Sequence, residues 1–323
     1  MSARRFLHRW LLAGFCVLAF VRFLPAAEKP VRIQIHWWPQ AQFAGFLVAQ
    51  EKGYYRQEGI PSVEVVPFTG GKMPFDRLKD RDVDFCTGWL SEAITLRARG
   101  VPLVNLSQFL SRSAFLFVAR RSSGIRTPAD MNGRRVGLWE GDFSVLPRVF
   151  FQRHGIKPVV VVQRYSIEPF LRGAVEVTSA MYYNEYHQLL EAGLRQEDLV
   201  VFHAADYGCN FPEDGLYCLV STRTRDPELC RAVTAATLKG WRYARAHPDE
   251  ALSIVMKYCD EYHMPTNRNH QRWMLRSMGT LMGSGTGNLE RDTYDGAVGL
   301  LTGRRIITAA PSYDSFYRPA GAP

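Results

Sequence analysis

From Val31 onward the chain alternates short β-rich apolar runs with longer segments whose apolar residues recur at helical spacing. Val31 to Ile35 reads as a strand, and Phe43 to Lys52 as a helix that stops at Gly53, a residue suited to a left-handed cap. Val63 to Pro67 is a second strand. Gly70 and Gly71 lead to a short helix near Pro74, followed by strand Val83 to Thr87, helix Leu90 to Arg99 capped by Gly100, and strand Leu103 to Gln108. Thr127 and Pro128 make a helix start, and a strand at Arg135 to Trp139 and a helix at Phe143 to His154 come next. The four valines of Val159 to Gln163 predict a buried strand, and Val177 to Tyr182 another. Asn184 to Ala192 is a short helix ending at Gly193. From Pro227 the pattern is largely helical through Met282, and a polar tail follows. Strand alternating with helix predicts an α/β fold with mainly parallel sheet. A faint echo relates Leu78 to Thr87 to Phe170 to Ala180: in each a helix end leads through a polar step into a strand.

With 323 residues, 46% of them hydrophobic, the chain can bury a sizeable core, and its length suggests two compact units. The first 27 residues differ in kind. Arg4, Arg5 and Arg9 precede an apolar run from Trp10 to Phe20, and Ala26 and Ala27 follow, which predicts a secretory signal peptide cleaved near Ala26 or Ala27 and a periplasmic or secreted mature chain. Phe6 directly after the arginine pair departs from a twin-arginine signal, and Phe15 spoils a lipoprotein box at Cys16. Loss of Arg4, Arg5, Arg9 and Arg22, with no acid among these residues, lowers the formal charge from +9 to +5. No Lys/Arg block interleaved with aromatics remains, so nucleic acid is not an expected partner. No later apolar stretch reaches about 18 residues, so the mature chain is not expected to span a membrane.

Five cysteines lie beyond the signal: Cys86, Cys209, Cys218, Cys230 and Cys259. Cys209 with Cys218, or Cys230 with Cys259, could pair in an oxidising compartment, but buried free thiols are the expectation. Their spacings match no zinc motif, and His154, His187, His203, His247, His263 and His270 show no HExxH spacing, so neither a metal nor a cofactor is expected. Gly70-Gly71-Lys72 lacks the flanking residues of a phosphate loop, although such a turn could offer backbone amides to an anion.

The segments IHWWPQAQFAGFLVAQEKGYYRQEGI (35 to 60), VDFCTGWLSEAI (83 to 94), DMNGRRVGLW (130 to 139), AMYYNEYHQLLEAG (180 to 193), DYGCNFPEDGLY (206 to 217) and GWRYARAHPDEA (240 to 251) carry a resemblance over nearly all of the mature chain. They resemble the ThiY-type solute-binding proteins of thiamine-pyrimidine-precursor ABC importers, within the SsuA/THI5-like periplasmic-binding-protein superfamily. The resemblance implies a type II periplasmic-binding-protein fold: two α/β lobes, a ligand cleft and two hinge crossings. One lobe would hold residues 31 to 118 plus 218 to 310 and the other residues 119 to 217, with 311 to 323 as a C-terminal tail.

Trp37 and Trp38 follow a strand and precede Pro39, a position that suits a cleft wall where an indole stacks on a flat ring. Because a strand alternates faces, one of the two should point inward; the family pattern favours Trp37. Gln40 stands where relatives often have Asn. Tyr183 and Glu185 sit at a strand end and helix start, where a carboxylate can accept paired hydrogen bonds from an aminopyrimidine and Tyr183 can stack on the opposite face. The competing reading of Glu185 is a first-turn acid favoured by the helix dipole. Trp89, Glu92, Trp139, Glu140 and the segment from Cys209 are further candidates. Asp214 and Gly215 lie where the chain recrosses, so ligand contact and hinge compete there.

The expected function is therefore capture of a small aromatic heterocycle, most specifically an aminopyrimidine, by a monomer that delivers it to an ABC permease. Riboflavin, sulfonate or nitrate binding, and service as a ligand sensor for a receptor kinase, are the alternatives. Anion binding predicts Arg or Lys in the cleft and no carboxylate. Related eukaryotic pyrimidine synthases carry a CCCFC cluster and a consumed histidine. Here CNFPE stands at 209 to 213 and Glu92 at the histidine's place, so an enzyme is not expected.

Overall fold

The computed structural model describes residues 29 to 319 except 140 and 165. The expected signal peptide and Glu140 therefore lie outside the described residues. Five strands, β1 (Val31–Gln34), β2 (Val63–Val66), β3 (Phe85–Gly88), β4 (Leu103–Gln108) and, after a long excursion, the returning strand Gly215–Leu219, make one sheet. The excursion contains β5 (Phe115–Arg120), β6 (Arg135–Leu138), β7 (Val159–Val162), β8 (Val177–Met181) and β9 (Leu199–His203), which make the second sheet; Gly215–Leu219 is then β10.

The strand orders are β2-β1-β3-β10-β4 and β7-β6-β8-β5-β9. They are one topology used twice. β1 pairs in parallel with β2 and β3, and β6 pairs in parallel with β7 and β8. In each sheet the strand that arrives from the other half of the chain, β10 or β5, inserts antiparallel to its two neighbours. The echo noted above falls on equivalent units: helix Pro74–Lys79 leads into β3, and helix Glu168–Leu171 into β8.

These assignments correct several expectations. Residues 115 to 118 belong to the second sheet and residues 215 to 217 to the first, so the crossings lie at 109 to 114 and 204 to 214, a few residues earlier than expected. The valine run is an edge strand: β7 has only β6 beside it, and Val159, Val160 and Val162 are about half exposed. Strands β5, β9 and β10 were not anticipated. Beyond Met282, where a polar tail was expected, the chain forms helix Arg291–Gly303 and a short helix Tyr313–Phe316, with Phe316 buried and Tyr317 bridging to Asn105.

The first sheet is covered by helices Ala44–Glu51 and Pro227–Ala246, and helix Pro248–Glu261 packs on those two. The first two cross at backbone contact, since a Cβ on Gly240 would lie 2.0 Å from the Gly45 carbonyl oxygen, and Trp241 is buried beside them. In the second sheet β5 alternates: Phe115, Phe117 and Ala119 face the main core, whereas Leu116 and Val118 face a smaller core with Phe170 and Leu189. Both of its faces are covered.

The two crossings are bonded to each other. Glu213, fully buried, accepts from Ser113 Oγ (2.6 Å) and Ala114 N (2.9 Å), and Ser113 N donates to Asn210 Oδ1 (2.8 Å). Burial pushes the Glu213 carboxyl up to about 7. The five cysteines described are buried and free. Cys218 and Cys230 are neighbours, their Sγ atoms 3.9 Å apart, which is neither of the pairings considered from sequence. Among the described residues no helix is long and apolar enough to cross a membrane.

Candidate functional site

Parallel strands in a doubly wound sheet direct their carboxyl ends, and the loops after them, into a shared crevice. Here four such ends meet. Trp37 follows β1, Trp89 follows β3, Trp139 follows β6 and Tyr183 follows β8, so the two repeats of one topology supply matched aromatic walls. Together with His36, Gln40, Gln42, Phe143, Met181, Asn184 and Glu185 they line one small cavity between the lobes, a concave and mostly aromatic recess of the kind in which small molecules bind.

Phe143 occupies the middle of the aromatic group. Its ring lies 5.9 Å from Trp37, 5.0 Å from Trp89 and 6.3 Å from Trp139, centroid to centroid, each edge-on. Such T-shaped contacts place the positive ring edge against a neighbour's negative face. Phe143 is carried by a short helical turn after β6 and touches Trp37 and Trp89 from the other lobe.

The cavity's polar side is a connected network. Gln40 Nε2 donates to Gln42 Oε1 (2.6 Å), and Gln42 Nε2 donates to Asp214 Oδ1 (2.8 Å). Gln42 from the first lobe and Tyr183 from the second both face the cavity. His36 Nδ1 lies 2.7 Å from Thr87 Oγ1, and its Nε2 lies 3.4 Å from Asp214 Oδ1. Burial lowers the His36 imidazole to about 3, so it is neutral in the fold. Burial likewise holds the Asp214 carboxyl well above the usual carboxylate range, against the hydrogen bond from Gln42.

Glu185 begins helix Glu185–Glu191 and serves two purposes. Its Oε2 accepts from Met181 N (2.8 Å) and its Oε1 from Asn184 Nδ2 (2.8 Å), which pins the turn between β8 and the helix. Burial pushes its carboxyl up to about 7, with these hydrogen bonds pulling the other way. Near neutral pH the group is therefore divided between acid and carboxylate, and it can both donate to and accept from a partner in the cavity.

Of the residues expected from sequence, the structure brings Trp37, Gln40, Trp89, Tyr183 and Glu185 into the cavity lining, with Trp139 from the further candidates. Trp38 is partly buried but does not line it; the two tryptophans lie in a bend beyond β1, so the outcome matches the expectation for one of the pair but strand alternation is not its cause. Asp214 stands behind the lining, touching it through Gln42, and adopts a left-handed backbone (φ 62°) immediately before β10. Glu92 is buried outside the lining. His36, Gln42, Phe143, Met181 and Asn184 were missed. His36, Gln42 and Asn184 stand within two residues of Trp37, Gln40 and Glu185, so a wider reading of those motifs would have found them. Phe143 carries no local signal. Lys72 faces Asp80 and Asp82 rather than an anion.

Two lobes of repeated topology, each contributing strand-end aromatics to one cleft between doubly bonded crossings, define the type II periplasmic-binding-protein class. The same fold is seen in the periplasmic aliphatic sulphonate binding protein SsuA of Escherichia coli, with a TM-score of 0.65 at 15% identity, covering 90% of this chain and 93% of that one. The chain belongs to the NMT1/THI5-like family, whose model matches residues 40–251. Among similar sequences, a formylaminopyrimidine-binding protein of Halalkalibacterium halodurans is 25% identical over 251 residues, 74% of this chain and 73% of that protein. The riboflavin-binding protein RibY of Chloroflexus aurantiacus is 25% identical over 72% of this chain and 67% of its own length. A 4-amino-5-hydroxymethyl-2-methylpyrimidine phosphate synthase of Legionella pneumophila is 22% identical over 72% and 74%.

Proposed function

We propose that this protein is the periplasmic, monomeric binding component of an ABC importer and captures an aminopyrimidine of the thiamine-precursor class. The observation that carries this reading is the composition of the cavity lining. Aromatic rings from both lobes surround a carboxyl group, Glu185, and no Lys or Arg is among the described lining residues. A sulfonate or nitrate would enter such a site without a compensating cation and beside a group that becomes an anion, an arrangement that burial makes costly.

An aminopyrimidine suits the same site. Its flat ring can stack against Trp37 or Tyr183, and its exocyclic amine and adjacent ring nitrogen form a donor and acceptor pair that matches the protonated carboxyl, or two donors to the carboxylate once the ring nitrogen carries the proton. A formylaminopyrimidine-binding relative supports this choice, and a riboflavin-binding relative keeps a flavin as the second ligand to test. The synthase reading is not adopted, because Glu92 cannot donate a ring fragment and Cys209 stands alone at the CCCFC position.

Calorimetry on the purified protein with 4-amino-5-hydroxymethyl-2-methylpyrimidine, its formylamino relative, riboflavin, taurine and nitrate tests the proposal. One-to-one binding of a pyrimidine with weak or no binding of the anions is expected. Binding of only the anions would overturn it, and pyrimidine formation from pyridoxal phosphate would overturn the binder assignment.

A further inference from the structure

The lobes also meet at a cluster outside the cavity. His187 and Glu191 are four residues apart on helix Glu185–Glu191, and so on one face of it. Opposite them stands His270, in the first turn of helix Arg268–Leu281. That helix packs on the first lobe, with Gln271 Oε1 accepting from Ala41 N (2.7 Å) and Met274 against Gln42 N. His187 Nδ1 lies 2.9 Å from His270 Nδ1, and Glu191 Oε2 lies 3.7 Å and 3.6 Å from the two. No periodicity or motif predicted this cluster, because 83 residues separate the histidines.

We propose that His187, Glu191 and His270 bind a divalent cation of the zinc class, which clasps the two lobes together. Two imidazoles and a carboxylate oxygen are a ligand set that zinc takes in three-ligand sites. The three separations straddle the edge of about 3.3 Å that tetrahedral bonds of ~2.0–2.1 Å generate, so modest side-chain movement would admit the ion.

The surroundings are those of a supported site. His270 Nε2 lies 3.0 Å from Asn184 Oδ1, an oxygen that also accepts from Gln188 Nε2 (2.9 Å). The Nε2 proton is thereby fixed on Asn184, and the Nδ1 lone pair is left facing His187, the second-layer arrangement that metal-bound imidazoles use. Asn267 Nδ2 donates to Glu191 Oε1 (3.0 Å), which leaves Oε2 to the cluster. The His187 ring lies on Trp273, 4.7 Å away and 27° from parallel, and the Trp273 indole donates to the Tyr182 carbonyl. The side chain of His270 is 7% exposed and that of Glu191 33%, so the cluster is walled on one side and open to solvent on the other.

Asn184 links this cluster to the ligand cavity, since its Nδ2 donates to Glu185 Oε1 (2.8 Å). An ion that fixes His270 therefore also fixes the amide that orients Glu185. Cation and cavity ligand both favour the arrangement in which the lobes touch, so each should tighten the other by the same factor.

The test uses tag-free protein stripped with a chelator. Titration with Zn2+ alone should give one site per chain, and Co2+ should give the intense visible bands of a four-coordinate ion. His187→Ala and His270→Ala, checked for wild-type circular dichroism, should each weaken Zn2+ binding by about 100-fold or more, and Glu191→Gln by about tenfold. Small-angle scattering should report a more compact wild-type particle with Zn2+ than without, and no such change for His187→Ala. Absence of stoichiometric Zn2+ binding in the wild type, or binding unchanged in both histidine variants, overturns the site. Binding without compaction overturns the clasp. Because Zn2+ alone is the probe, these results are independent of which heterocycle the cavity takes.

Discussion

Gln42 Nε2 donates to Asp214 Oδ1 across 2.8 Å, tying the loop after the first strand to the last residue of the second crossing. Asp214 holds that position in a left-handed conformation, which asparagine and aspartate tolerate better than other non-glycine residues. Asp214→Ala should lose both the acceptor and that tolerance, at a cost of about 2–4 kcal/mol. Asp214→Asn retains both and should stay within about 1 kcal/mol of wild type. Urea unfolding of the two variants decides the matter, and equal stability would mean that the pair does not hold the crossing.

Glu185 makes stability depend on pH in a stated direction. Its carboxyl is raised from 4.5 to about 7 in the fold, so between those values the native state keeps a proton that the unfolded chain has lost. Stability from this group is full below 4.5 and falls as pH rises through 7. Glu213 acts in the same sense, whereas neutral His36, lowered from 6.5 to about 3, acts in the opposite sense between those values. Comparing wild type with Glu185→Gln isolates one group. The difference in unfolding free energy between pH 5 and pH 8 should shrink by about 2–3 kcal/mol in the variant, and an unchanged difference would show that Glu185 is not buried as described.

The same variant bears on the ligand. Glu185→Gln keeps a donor and an acceptor but can carry no charge, so an aminopyrimidine should bind about 10- to 100-fold more weakly. Unaltered affinity by calorimetry would leave Glu185 as a structural cap for its helix alone.

Phe143 sets the width of the aromatic group. Phe143→Ala should shift preference toward riboflavin and away from a one-ring pyrimidine, because the freed volume sits between Trp37, Trp89 and Trp139. Flavin fluorescence quenching and pyrimidine calorimetry measure the ratio, which should rise tenfold or more, about 1.4 kcal/mol. A constant ratio would place the ligand elsewhere.

The valines of β7 offer a test of the fold. Val160 is 55% exposed on an edge strand, so Val160→Lys should change stability by less than about 0.5 kcal/mol. Val177→Lys, on the central strand β8 with no exposure, should cost several kcal/mol or abolish folding. Equal tolerance of the two would contradict the strand order.

The strand and helix alternation, most helix stops and the pairing of Trp37 with Tyr183 and Glu185 were legible because each is written in local pattern or in a family motif. Gly53 and Gly100 end their helices in the left-handed region as read. What was hidden is non-local. Four consecutive valines look buried, yet exposure depends on whether a neighbour strand lies beyond them, and β7 has none. Strand β10 owes its place to β3 and β4, far back along the chain and before both crossings, and β5 owes its place to β8 and β9, far ahead of it. Phe143 enters the cavity only because the second lobe faces the first, and the His187, Glu191 and His270 cluster exists for the same reason.

The insertion of β10 between β3 and β4 has a consequence for how the chain acquires its structure. Residues 31 to 108 supply four strands of the first sheet, but β3 and β4 are not neighbours until Gly215–Leu219 arrives between them. The first lobe thus cannot complete its sheet from its own N-terminal sequence, and its assembly waits for more than a hundred intervening residues. Such long-range pairing slows folding, so the first lobe stays open along β3 and β4 until the second crossing has been made.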